Sequence, residues 1–510
     1  MTFGQILLAI PLFVITLGGY YLTFVSPDVE MSGEWAAYAM YFCFLTANKS
    51  NSIFSFFLGI SFERMLPYHN LSACLAVIMS FMHGYVAYVY GEAGSGDGGS
   101  GSNSGSGSNS GSGHRRVSED SQFALTGPNP NVLKFAFDGS NNFSGTILTL
   151  SMATLVATSL FPILRRKFFD LWFWTHILLA INTIIFCLLH EVTLVIVVAV
   201  WWAVDLLVRY VVMACCRYPN KATLTLVQPD VVKVSFPKPQ GFDYNPGQFC
   251  QISFPDIGIL YFHPISISSA PHEDYVTLHV RALGDWSQKL VKLAEEKEEV
   301  IILVEGPYGC LSVDIDDHRR FQMALCVSGG IGVTHCQSVA KSILNDHVNE
   351  GRKLKQLRFV WCIRDMNMMS LLPPFQVERT NGGEDAELAQ TVEFSSGSSS
   401  TMSIPHSNKV SMGNLLKTDV FVTKAPKQPI VEPYEDGRHL HFGRPNLDAL
   451  LDEVEDDARR LGVSYVAVFV CGPKALVEKL QDTCRRHSQN LVELGTPGVI
   501  FNVHEEIFDF

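Results

Sequence analysis

Six apolar stretches crowd the first 214 residues: 3–25, 35–60, 69–90, 144–163, 170–190 and 192–214. Each approaches or exceeds the roughly 20 residues a helix needs to cross a bilayer core. Polar residues collect between these stretches, so the pattern predicts six membrane helices. Beyond Cys216 the rhythm changes. Between 222 and 305, short β-branched runs alternate with turns: KATLTLV, VVKVSF, QFCQISF, YVTLHV and EVIILV. Such runs predict a small antiparallel barrel. From 320 onward strands and helices alternate. MALCVSGG leads into a helix at 334–347, LRFVWCIRD is a second strand, 445–461 is helical, and SYVAVFVCGP is a third strand. That alternation predicts a doubly wound α/β domain. The fold class is multi-domain, with a helical bundle at 1–217, an antiparallel β-barrel at 218–317 and an α/β domain at 318–510.

Two segments fit neither rhythm. GSGDGGSGSNSGSGSNSGSG, within 91–143, has too few apolar side chains for a core and predicts a flexible loop. The stretch 378–415, containing FSSGSSSTMS, reads as a disordered insertion. The first apolar run lacks a small-residue cleavage site and reads as a retained helix rather than a signal peptide. Arg165, Arg166 and Lys167 follow the fourth run, and Arg209, Arg217 and Lys221 flank the end of the sixth. Positive loops face the cytosol. Six spans then place both termini inside and 91–143 outside. The Asn142-Phe143-Ser144 sequon lies too close to the fourth helix to be a good glycosylation acceptor.

Composition agrees with membrane residence: 47% of residues are hydrophobic and 17% charged, against about 25% charged in an average soluble domain. The net charge of -12 points away from nucleic acid. The 12 cysteines show no CxxC spacing, and none lies in 91–143. This argues against a disulfide framework or a structural zinc site.

The chemistry begins with two superimposable stretches. HNLSACLAVIMSFMH (69–83) and HILLAINTIIFCLLH (176–190) each carry a histidine at both ends. Fourteen helical residues rise about 21 Å and return to within about 40° of the starting direction. His69 and His83 therefore share one face near the two ends of one helix, and His176 and His190 do so on another. If the helices are neighbours, two facing pairs result, one near each membrane surface. Paired imidazoles can ligate a haem iron from both sides. Ionisable residues inside spans are rare and usually functional. Two such haems would carry electrons across the bilayer. Lys49, with Asn48 and Asn51, makes a polar break in the second run, suited either to a haem propionate or to snorkelling along a bent helix.

The second half holds motifs for an electron source. Tyr244-Asn245-Pro246-Gly247-Gln248-Phe249 precedes His263, Pro264, Ile265, Ser266, Ile267 and Ser268. Extended backbone and compact hydroxyls there suit the edge of a flavin ring. Arg281 can neutralise a pyrophosphate. Trp286 and Ser287 open a helix whose first N–H groups favour phosphate. Gly306-Pro307-Tyr308-Gly309 completes the series, whose order and spacing point to FAD. Gly329, Gly330, Gly332 and Thr334 stand at a strand-to-helix junction, where glycine lets backbone N–H groups reach a dinucleotide. Arg364 after the next strand suits a 2′-phosphate and favours NADPH over NADH. Cys471, Gly472 and Pro473 end a later strand, where a residue meets the nicotinamide. The terminal aromatic Phe510 can cover the flavin ring.

Together these motifs resemble the ferric reductase and NADPH oxidase superfamily, over nearly the whole chain apart from the two biased segments. The resemblance implies a six-helix transmembrane domain with two b-type haems, an FAD-binding barrel and an NADPH-binding α/β domain. It implies His69 and His176 on an inner haem, and His83 and His190 on an outer one. FLGISFERMLPYHN (57–70), HPISISS and the equal fourteen-residue spacings look like the ferric reductase branch. GGIGVTHCQSVAKSIL and HVRALGDWSQKL also resemble oxidases. His335 departs from the proline frequent in the family at that place. The expected activity is NADPH-dependent reduction of Fe(III), free or chelated, or of Cu(II), on the far side of a plasma membrane, with the flavin module in the cytosol. An iron transporter is a candidate partner. The rival readings are superoxide formation from oxygen and a haem protein without enzymatic activity.

Overall fold

The computed structural model describes residues 3–48, 57, 62–90, 136–137, 139–161, 163–164, 168–217, 219–258, 261–377, 415–424, 438–493 and 498–507. The Gly/Ser-rich segment, the FSSGSSSTMS insertion, Lys49, Asn51, Arg165, Arg166, Lys167 and Phe510 lie outside the described residues. The chain divides into two compact units, Met1–Val208 and Arg209–Phe510.

The first unit is helical: α1 (Phe3–Tyr20, prolonged by π-helical turns to Val25), α2 (Val29–Thr46), α3 (Phe62–Tyr90), α4 (Gly139–Leu160), α5 (Phe169–Leu189) and α6 (Leu194–Leu206). Among the described residues, five stretches are long and apolar enough to cross a membrane: Leu7–Val25, Met65–Tyr90, Asn141–Leu160, Phe169–Leu189 and Leu194–Val212. α2 is not among them; the expected second span at 35–60 continues into 49–56 and 58–60, which lie outside the described residues. α2 starts upstream of that apolar run because Asp28 caps it, accepting from the Met31 N–H at 2.9 Å. Glu30 in its first turn and Glu34 beyond lower its hydropathy, although carboxylates near a helix N-terminus are favourable. Ala36, Ala37, Ala39 and Met40 bury its middle. It packs against α3 and α6, while α4 packs on both α3 and α5. Phe13, Leu178 and Val197 point outward, as expected where hydrocarbon replaces water.

In the second unit, β1 (Pro219–Gln228), β2 (Val231–Pro237), β3 (Phe249–Ser253), β4 (His263–Ser266), β5 (Tyr275–Arg281) and β6 (Glu299–Tyr308) form an antiparallel sheet ordered β4-β3-β6-β1-β2-β5. A bridge between Ile267 and Leu278 joins its two edges into a barrel. Phe236, Phe242, Ile252, Phe254 and Leu278 fill the interior, and α7 (Asp285–Glu296) packs alongside.

The α/β part holds six parallel strands, three more than the sequence pattern marks. They are β7 (Met323–Gly329), β8 (Gln356–Ile363), β9 (Leu416–Val422), β10 (Arg438–Phe442), β11 (Tyr465–Gly472) and β12 (Ile500–Ile507), ordered β10-β9-β8-β7-β11-β12. Helices α8 (Val333–Asn349), α9 (Leu447–Arg460) and α10 (Lys474–Glu493) complete it. Strand order reverses between β7 and β11, and ligands of such sheets bind at the carboxyl ends beside that switch. Ser338 of α8 donates to the Ser269 carbonyl at 2.7 Å, and Lys341 pairs with Glu273 at 2.9 Å, tying this part to the barrel. The compact units divide after Val208. α6 runs on as π-helical turns over Leu207–Arg217, and there Arg209 pairs with buried Glu305 of β6 at 2.7 Å.

Candidate electron-transfer sites

α3 and α5 flank α4 and run in the same direction, so the four histidines fall into two layers. His83 and His190 lie at one end, their ring centres 6.3 Å apart and their planes at 71°. A metal–imidazole bond is about 2 Å, so two rings gripping one ion from opposite sides have centres about 6 Å apart. His69 and His176, at the other end, also interact electrostatically.

Hydrogen bonds set the ring tautomers. His69 Nδ1 lies 3.0 Å from the Cys43 carbonyl, which can only accept, so the proton sits on Nδ1. Ser32 Oγ gives its one proton to the Val29 carbonyl and therefore accepts from His83 Nδ1, at 3.0 Å. Ser144 Oγ likewise donates to the Asn141 carbonyl and accepts from His190 Nδ1, at 3.1 Å. Ser159 Oγ lies 3.2 Å from His176 Nδ1. Nε2 keeps its lone pair for a metal wherever Nδ1 holds the proton, the usual arrangement of metal-binding histidines. Gly33 and Gly145 make room for the rings. A Cβ at Gly33 would stand 3.1 Å from His83 Cε1, and one at Gly145 2.9 Å from His190 Cε1.

A cavity of about 910 Å³ surrounds His83 and His190, and the carboxylates of Glu30, Glu34 and Glu191 are among its lining. Glu191, in the short turn between α5 and α6, has φ 61°, the one positive φ outside glycine among the described residues. The sequon residue Asn142 lines the same cavity, and its partner Ser144 is buried against His190.

The flavin motif is split by the barrel. Pro264 is exposed and Ser266 half-buried, whereas Ile267 and Ser268 are fully buried. Ser268 Oγ donates to the Thr277 carbonyl at 2.8 Å and meets His279 Nδ1 at 2.9 Å, so it braces the barrel. The His263 ring lies 4.0 Å from the Trp286 ring at 31°, with Ile265 packed against the same interior. Burial lowers the His263 pKa to about 4 and keeps the ring neutral. The Trp286 indole N–H is shielded and has no partner among the described residues, as fits a site that receives a polar ligand. Ser287 Oγ accepts the N–H groups of Leu283 and Gly284 at 3.0 Å each, so it builds the start of α7. Half-exposed Arg281 pairs with Asp230 at 2.9 Å.

At the switch point, Gly329 and Gly332 meet Cys471, Gly472 and Pro473. A Cβ on Gly332 would stand 2.5 Å from the Cys471 carbonyl oxygen, and one on Gly329 2.8 Å from Pro473 Cδ. Gly330 has φ +57° and accepts from the buried Trp361 indole at 2.9 Å. Thr334 Oγ1 donates to the Ile331 carbonyl at 3.1 Å. Cys471 is fully buried, and burial pushes its thiol well above the usual range. Arg364, just past β8, is exposed and has no ion-pair partner among the described residues.

The histidine-bracing residues went unmarked in the sequence. Their one local signal is a repeated Ser-Gly, Ser32-Gly33 and Ser144-Gly145, early in α2 and α4.

Three families match consecutive stretches of the chain. A ferric reductase like transmembrane component covers 32–187, an FAD-binding domain 217–312 and a ferric reductase NAD binding domain 321–485. The chain belongs to the ferric reductase and NADPH oxidase superfamily. It is an integral membrane protein with FAD- and NADPH-binding domains, and its transmembrane component is that of a family that binds haems. Mouse NADPH oxidase 1 is 25% identical over 426 residues, covering 71% of this chain and 66% of its own length. A superoxide-generating NADPH oxidase heavy chain from Dictyostelium discoideum is 26% identical over 400 residues, 71% of each. A ferredoxin NADP+ reductase from Neisseria gonorrhoeae, solved with bound FAD and NADP, aligns with 56% of this chain and 98% of its own at 11% identity and a TM-score of 0.36.

Proposed function

We propose that the protein passes electrons from NADPH, through FAD and two haems, across the membrane to Fe(III). The carrying observation is the braced pair His83 and His190, 6.3 Å apart in a cavity. When bound, FAD accepts a hydride and releases electrons singly, and the haems relay them. His69 and His176 would hold an inner haem, and His83 and His190 an outer one. The His263 to Ser268 strand seats the flavin edge, and the start of α7 faces its phosphates. The glycines after β7 seat the dinucleotide, Arg364 takes the 2′-phosphate, and Cys471 packs beside the nicotinamide as a neutral thiol.

The carboxylates of Glu30, Glu34 and Glu191 support a ferric acceptor, because hard oxygen ligands suit hard cations. The relatives' names support oxygen as a second reading. In purified protein, two haems and one FAD per chain are expected. His83→Ala should leave one haem, keep FAD, and abolish Fe(III) reduction. Unchanged haem content and activity would remove His83 as a ligand. Superoxide formed from oxygen in place of Fe(III) reduction would establish the second reading.

A further inference from the structure

Two polar groups in the helical unit are shielded from water and have no hydrogen-bond partner among the described residues. Asn48 is completely buried, and neither its Nδ2 nor its Oδ1 has a hydrogen-bond partner among the described residues. The Trp172 indole nitrogen is also shielded and has no partner among the described residues. Unsatisfied buried groups are costly and call for an explanation.

Both lie beyond the His69/His176 layer, on the same side. α2 runs from Ser32, which braces His83, to Cys43, which braces His69, and Asn48 follows Cys43 by five residues. α5 runs the other way, from His176 to His190. Trp172 precedes His176 by four residues, and the two ring centres are 5.4 Å apart at 40°. The His83/His190 layer has no such orphan among the described residues.

We propose that Asn48 and Trp172 form a carboxylate-binding subsite for the haem held by His69 and His176. This rests on reading those histidines as haem ligands. Haem is apolar except for two carboxylates along one edge. An indole nitrogen can only donate, and an amide Nδ2 also donates, so an anionic acceptor satisfies both. A water shared with that carboxylate serves Asn48 Oδ1. A lipid phosphate at the same membrane face offers similar chemistry, and a redox titration separates the two sources.

The full-length protein in lipid nanodiscs is titrated potentiometrically by haem absorbance. Trp172→Phe removes one N–H and keeps an aromatic ring, and Asn48→Ala removes the amide. His83→Ala, retaining only the other haem, assigns the component. With donors removed, the carboxylate charge is less compensated and the oxidised iron is favoured. The His69/His176 component should therefore fall by a tenfold change in the one-electron equilibrium, about 59 mV, while the other holds. Selective loss of that haem would also support the subsite. Two unmoved midpoints in Trp172→Phe would overturn it and leave the orphans to lipid or to the fold, as would a shift shared by both haems. Trp172→Phe carries the test alone if Asn48→Ala does not fold. A wild-type protein lacking two haems refutes the ligand reading itself, a different result from an unmoved midpoint.

Discussion

At Gly145 the space beside His190 is already closed. A methyl there would press within 2.9 Å of His190 Cε1, a separation that real Cβ contacts essentially never show. Gly145→Ala should turn the ring and lower haem content from two per chain to one, read from the haem-to-protein absorbance ratio. Ser144→Ala should act more gently. It removes the acceptor from Nδ1 and should weaken retention of that haem by about 10- to 100-fold, as loss of such a brace typically does. Arg364→Ala should narrow the preference for NADPH over NADH. An unchanged kcat/KM ratio would take the 2′-phosphate away from this side chain. The histidines were legible because their fourteen-residue spacing is a local fact. Their braces were not, because Ser32 and Ser144 lie 51 and 46 positions from the rings they hold. At Ile267 and Ser268 the motif was visible, but not which of its alternating side chains turn into the barrel interior.

Among the elements, β7, β8 and β11 were legible because both faces are buried and their sequences read as continuous apolar runs. β10 (RHLHF) sits at the sheet edge, where polar side chains are tolerated, and hides from a hydrophobic pattern. β12 occupies the other edge and ends in HEEI. The start of α2 was set by its cap at Asp28 rather than by its apolar run. The barrel carries a pH consequence. Burial holds His263 on β4, His279 on β5 and His335 on α8 at pKa values of about 4, against about 6.5 when unfolded. These rings are neutral in the fold and take protons more readily in the unfolded chain. Stability is therefore full above about pH 6.5 and falls as pH drops toward 4. The temperature at which the intact protein releases FAD should decline over that window. A flat profile would show that these rings do not control barrel stability.

For the whole molecule, the sequence pattern conveyed the order of parts: helices, then barrel, then parallel sheet. It put the helical domain at 1–217, and the compact units divide after Val208. No hydropathy pattern reports that Arg209, still inside the last apolar stretch, is committed to Glu305 in the barrel. Arg209→Met should leave a fully buried carboxylate without its partner and reduce FAD occupancy, whereas paired replacement with Glu305→Gln should recover part of it. Under the proposed function, Glu30, Glu34 and Glu191, which line the His83/His190 cavity, would attract a cation and leave oxygen indifferent.

The most direct test uses vesicles holding the protein in one orientation, with NADPH supplied only on the flavin side. A membrane-impermeant Fe(III) chelate is supplied only on the other side, and oxygen is excluded. The account predicts continuing formation of Fe(II), lost in His83→Ala. Absence of reduction with or without oxygen, in protein carrying FAD and both haems, would contradict it.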